Sequence, residues 1–94
     1  MKLFMISQEV NHGYDTYDAA IVAAETPDSA RRMHPDGAHL WSDDLKGWVI
    51  EGGQKTNRNR ADDWINDISR VTVTHIGEAA PGVHRVVLSS FNAG

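Results

Sequence analysis

Lys2-Leu3-Phe4-Met5-Ile6-Ser7-Gln8 and Ala19-Ala20-Ile21-Val22-Ala23-Ala24-Glu25 flank the segment Asn11-His12-Gly13-Tyr14-Asp15-Thr16-Tyr17-Asp18, and the reading of these three stretches decides the fold. In the first, Leu3, Met5 and Ser7 alternate with Phe4, Ile6 and Gln8. Both sets are largely apolar, so the expectation is a central strand covered on both faces. In the second, the alanines alone would permit a helix. The β-branched pair Ile21-Val22, with a helix-start signal directly behind it, favours a short buried strand instead. The first apolar run stops at Ser7-Gln8-Glu9, too soon for an export segment or a membrane span.

The helix-start signal is Thr26-Pro27. Threonine caps a helix through its hydroxyl and proline suits the first helical position, so a helix is expected from Pro27 through Asp28, Ser29, Ala30, Arg31 and Arg32 to Met33. Asp28 in the first turn and the arginines in the last suit the helix dipole. His34-Pro35-Asp36-Gly37 ends it, because the residue before proline avoids helical geometry and Asp-Gly favours a turn.

From Ala38 to Asn66 the pattern weakens, and Trp41, Trp48 and Trp64 are the large anchors. Two of the three are expected to close the core. Trp48-Val49-Ile50 suggests a strand, whereas Gly52 to Arg60 has the composition of an exposed loop, with residues 52 to 61 expected to be mobile. Val71, Val73 and His75 alternate with Thr72, Thr74 and Ile76 as in a half-exposed strand, and Val86 and Leu88 stand against Val87 and Phe91 in another. Gly77-Glu78-Ala79-Ala80-Pro81-Gly82 reads as a hairpin loop joining them, with Pro81-Gly82 at the centre of a type II turn. The expected fold is α+β: one domain with a small, mostly antiparallel sheet of roughly four or five strands and one short helix packed on one face.

A chain of 94 residues supports one hydrophobic core, and 40% hydrophobic with 23% charged residues argues against disorder. The absence of cysteine removes disulfides, thiolate metal sites and cysteine nucleophiles, and fits a reducing compartment such as the cytoplasm. A net charge of −4 argues against a nucleic-acid partner held by phosphate neutralisation. The one basic cluster, Lys55, Arg58 and Arg60, is hemmed in by Glu51, Asp62 and Asp63.

No catalytic signature emerges. Ser42, Ser89 and Ser90 lack a nucleophile elbow, and Gly52-Gly53-Gln54-Lys55-Thr56 lacks the spacing of a phosphate loop. Asp15 and Asp18, with His12, have the chemistry of an acid and base pair or of hard-metal ligands, but Tyr17 occupies a position where a calcium loop needs an oxygen donor. His12, His34, His39, His75 and His84 show no zinc-motif spacing. His34 and His39 straddle the Pro-Asp-Gly turn, and His75 and His84 would face each other across the expected hairpin. Neither a cofactor nor a metal is called for. The richest recognition element is therefore the octapeptide itself. Tyr14 and Tyr17 offer stacking surfaces, Asp15, Thr16 and Asp18 offer acceptors, and Asn11, His12 and Gly13 offer a turn that lets backbone approach a ligand. A competing assignment makes Asn11-His12-Gly13 a plain turn, with the tyrosines covering core edges.

The run Lys2 to Gln8 followed by Asn11-x-Gly13-Tyr14-Asp15-Thr16-Tyr17-Asp18-Ala19-Ala20-Ile21-Val22-Ala23-Ala24 resembles a family of small uncharacterised proteins of tailed bacteriophages and prophages. Ala30-Arg31 with His34-Pro35, Ile76-Gly77-Glu78-Ala79, and the tail Ser90-Phe91-Asn92-Ala93-Gly94 are similar too. The resemblance covers residues 1 to 35 and 71 to 94 and implies a phage-encoded accessory protein of the host bacterial cytoplasm. It carries no established activity. The expected function is non-enzymatic binding of a host or phage protein through the octapeptide, blocking a host anti-phage defence factor by analogy with other small phage proteins. The alternative is sequestration of a nucleotide-like small molecule. Self-association through an unpaired edge strand or the apolar stretch at Phe91 is a further expectation.

Overall fold

A computed structural model describes residues 1–10, 16–50 and 63–92. Its elements are β1 (Lys2–Ser7), β2 (Thr16–Ala24), α1 (Pro27–Arg31), β3 (His39–Ser42), β4 (Gly47–Ile50), β5 (Thr72–Glu78) and β6 (Arg85–Asn92). Four strands form an antiparallel sheet in the order β5-β1-β2-β6, and β3 and β4 pair separately as a hairpin. The α+β class expected from the sequence is the class observed, with a second small sheet added.

Register explains which side of the sheet is buried. Phe4 lies opposite Val22 and Ile6 opposite Ala20, and Ile6 also lies opposite Val73 across the β1–β5 pair. Directly opposed residues of an antiparallel pair share a face, so these side chains form one layer. They join Ala24, Ala30, Met33, Trp48, Trp64, Ile65 and Val71 in a single apolar core. The alternate row does not meet a second layer: Met5 is 39% exposed where the sequence suggested a strand covered on both faces. Apolar content in both rows misled that reading, because periodicity reports what could be buried and not what lies above it.

Helix α1 begins as its sequence dictates. The Thr26 side chain accepts from the Ser29 N–H at 3.1 Å, and Pro27 opens the first turn. It ends at Arg31, two residues short of the expected Met33, because the chain then straightens to pair with β3. Met33 bridges Leu40, and the Trp41 N–H donates to the Arg32 carbonyl at 2.9 Å. Arg32 reaches both Asp28 at 2.9 Å and Asp43 at 2.7 Å, tying the helix to the β3–β4 turn. Those two carboxylates raise the guanidinium pKa above its ordinary value.

The stretch 77–82 carries the expected turn but not the expected hairpin. The Val83 N–H donates to the Ala80 carbonyl at 3.1 Å, and Gly82 takes the positive φ of 85° that a type II turn requires at that place. Yet β5 and β6 lie at opposite edges of the sheet, separated by β1 and β2. The connection therefore passes across the end of the sheet, where the Ala79 N–H donates to the Met1 carbonyl. His75 and His84 consequently do not face each other. His75 packs its ring 5.5 Å from Phe4, and its Nε2 lies 2.9 Å from the Gly77 carbonyl.

Trp48 and Trp64 are buried, as the expectation of two core tryptophans required, and Trp41 stacks edge-on against Trp48 at 5.3 Å. The loop expected to be mobile at 52–61 lies outside the described residues. Among the described residues no helix is long and apolar enough to cross a membrane.

Candidate functional site

Of the octapeptide, Asn11, His12, Gly13, Tyr14 and Asp15 lie outside the described residues. Thr16, Tyr17 and Asp18 are the first residues of β2, which starts three positions earlier than the sequence suggested. Thr16 is buried, while Tyr17 and Asp18 are half-buried. The pairing of β2 with β6 shifts register between Tyr17 and Ala19, a bulge at Asp18. A bulge re-aims the side chains beside it. Here the Tyr17 ring packs toward the core, 4.7 Å from Phe91 and 5.9 Å edge-on to His34. Tyr17 thus anchors the corner rather than standing out from it.

The two ends of the 11–15 stretch are gripped by one buried amide. Gln8 is 1% exposed and continues the inward row of Phe4 and Ile6. Its Nε2 donates to the Tyr17 carbonyl at 3.1 Å, and its Oε1 accepts from the Val10 N–H at 2.7 Å. A primary amide is the side chain that can donate to one strand and accept from its neighbour at once. The Tyr17 N–H is taken by the Asp63 carbonyl at 2.8 Å, so residue 17 is fixed on both sides of its peptide.

Beneath this grip lies a cluster of ionisable groups: His34, Asp36, His39 and Asp63. His34 is fully buried, with Trp48 edge-on at 5.1 Å and Trp64 at 6.5 Å. Its Nδ1 lies 3.0 Å from the Asp36 nitrogen and 3.3 Å from Asp36 Oδ1, and its Nε2 lies 3.1 Å from Asp63 Oδ1. In the neutral ring Nδ1 accepts the Asp36 N–H and Nε2–H donates to Asp63.

Asp36 itself organises the turn. Its Oδ1 accepts from the Ala38 and His39 N–H groups at 2.8 and 3.0 Å, and its Oδ2 meets His39 Nδ1 at 2.5 Å. Burial opposes its ionisation, but hydrogen bonding with His34 and the two amides outweighs that penalty and holds the carboxyl well below the ordinary carboxylate range. Among the described residues no group of three or more histidine, aspartate or glutamate side chains could hold a metal ion. A general base must reach a proton on its substrate, and a wholly buried imidazole between two carboxylates reaches none from outside. The cluster instead fastens the Asp63 segment to the turn after α1, and Asp63 in turn holds Tyr17.

Sequence reasoning noticed the turn between His34 and His39 but missed Gln8 and Asp63. The signal for Gln8 was its place in the apolar alternation, a polar side chain on the buried row. Asp63, 29 positions from His34, left no local signal. Comparison of the chain with protein-family models, curated proteins and solved structures returned no match in any of the three.

Proposed function

We propose that this chain is a non-enzymatic binding protein, an accessory protein of a bacteriophage acting in the host bacterial cytoplasm. It engages a host or phage protein through the corner at residues 11 to 18, and blocks a host defence factor by doing so. The observation that carries this reading is the Gln8 grip: one buried amide holds both Val10 and Tyr17, so the described residues on either side of the 11–15 stretch form a fixed base. Binding segments on a rigid scaffold lose less entropy when they dock. The corner also has the composition of an interface anchor. Phe91 is 45% exposed beside the Tyr17 ring, with the acidic Asp18 next to it. The resemblance to phage proteins, strongest over this same segment, supports the source and the cellular setting.

The reading is tested by affinity capture from bacterial lysate with the tagged chain and, in parallel, its Tyr14→Ala and Phe91→Ala variants. One host or phage protein enriched by the parent and lost with the variants supports it. Capture of the same proteins by all three, or of none, counts against it.

A further inference from the structure

We propose that the face of the four-stranded sheet turned away from α1 docks a second copy of this chain. The product is a twofold dimer of sheets packed face to face, with Leu88 of each copy seated in a hollow of the other.

Register defines that face. Met5 lies opposite Ile21 and Thr74, and Ile21 lies opposite Leu88, all on the side away from Phe4 and Val22. Solvated faces of antiparallel sheets normally alternate polar and charged side chains outward. Here the outward row runs from Thr72 and Thr74 at one edge to Leu88 and Ser90 at the other without an ionisable side chain. The nearest charges are Arg85, opposite Ala23 at one end of the sheet, and Asp18, at the bulge beside Ala19 at the other. Covering the centre of this face, around Met5, Ile21 and Leu88, strips water from no charge and opposes no like charges. In a chain of net charge −4, that makes it the side on which two copies can approach most readily.

The face also carries both halves of a fit. Leu88, at 64% exposed, is the most exposed of its large apolar side chains. It lines a hollow of about 300 Å³ together with Met5, Ala19, Ala20, Ile21, Ser89 and Ser90. Ala19 is a small residue of that lining, whereas Met5, Ile21 and Leu88 carry large apolar side chains. A knob and a hole on one patch are what an isologous twofold contact requires, since each copy must supply both.

Size sets the strength. Four strands about 4.8 Å apart and about 20 Å long present roughly 400 Å² of projected face per copy. Side-chain relief raises the accessible area of the pair toward the ~1,200 Å² lower end of specific interfaces. The dimer is accordingly weak, forming in the micromolar range, with the sheets about 10 Å apart.

Sedimentation of the full chain from low micromolar to submillimolar concentration tests this. The expected result is a monomer–dimer equilibrium that persists in high salt. Leu88→Lys should weaken it at least about tenfold, a loss of about 1.4 kcal/mol of association free energy. Leu88 is exposed, so this variant should keep its thermal midpoint; Ala19→Phe, which fills the hollow, provides a second perturbation of the same contact. A chain monomeric throughout overturns the proposal, whatever other protein it captures through this face. So does a dimer indifferent to Leu88→Lys, or one whose formation slows amide exchange along β6, the mark of edge-to-edge strand pairing. The contact is argued from none of residues 11 to 18, so failure here leaves the binding function untouched.

Discussion

Gln8 and His34 do related work by opposite chemistries, a neutral amide and an imidazole between two carboxylates. Replacing Gln8 with leucine keeps the volume but removes its hydrogen bonds to the Tyr17 carbonyl and the Val10 N–H, an expected cost of about 1–3 kcal/mol. A urea titration reads it directly, and a change within ±0.3 kcal/mol, about the scatter between independent surface sites, would show that the grip is dispensable. Asp36 gives a pH signature. Its folded-state pKa lies below its ordinary value, so it contributes stability that is complete above the unfolded pKa near 4 and is lost as pH falls through the folded value. Unfolding free energy should therefore decline below about pH 4, and Asp36→Asn should be less stable at neutral pH yet lose less on acidification. Parallel acid limbs for the two proteins would assign the effect to other carboxylates.

At the scale of the elements, the turn at Pro81-Gly82 offers the cleanest measurement. Gly82 has a φ of 85° and open space where a Cβ would stand, so Gly82→Ala introduces conformational strain and no clash. A cost of about 1–2 kcal/mol is expected by chemical denaturation. Thr26→Ala should cost about 1 kcal/mol by removing the cap of α1. Both features were legible in the sequence because capping and turn chemistry are local: a hydroxyl three residues from an amide, a glycine after a proline. Strand order was not. Nothing in Gly77 to Gly82 records that β1 and β2 lie between the strands this turn joins, since loop closure over either distance differs little in cost. Strand β4 was legible at Trp48-Val49-Ile50, whereas its partner β3 escaped notice for a related reason. It is four residues long and also leans on the short segment after α1, where Met33 and the Arg32 carbonyl meet it, and no alternation spans so few residues.

For the whole molecule, the arrangement separates tasks by surface. One side of the sheet is occupied by α1, the two buried tryptophans and the histidine cluster. The other carries the uncharged row through Met5 and Leu88, and Thr16, Tyr17 and Asp18 stand where the start of β2 meets the end of β6. The core row was legible from Phe4, Ile6 and Val22 because burial follows the period of two. The foundation of the corner was not, because Asp63 reaches it only after the chain has passed through β3 and β4. His34→Phe should expose this dependence. It retains an aromatic ring among Tyr17, Trp48 and Trp64 but leaves Asp63 without its imidazole partner, and should lower partner capture without touching the partner. Retained capture would confine His34 to stability alone.

The most direct measurement of the binding corner is photo-crosslinking in bacterial lysate from a benzophenone amino acid placed at position 91, beside Tyr17, and in a separate protein at exposed position 45, in the β3–β4 turn. The expected result is a single protein adduct from position 91 that is absent from position 45 and is competed away by excess parent chain. Equal labelling from both positions, or no competed adduct from position 91, would contradict a binding site at this corner.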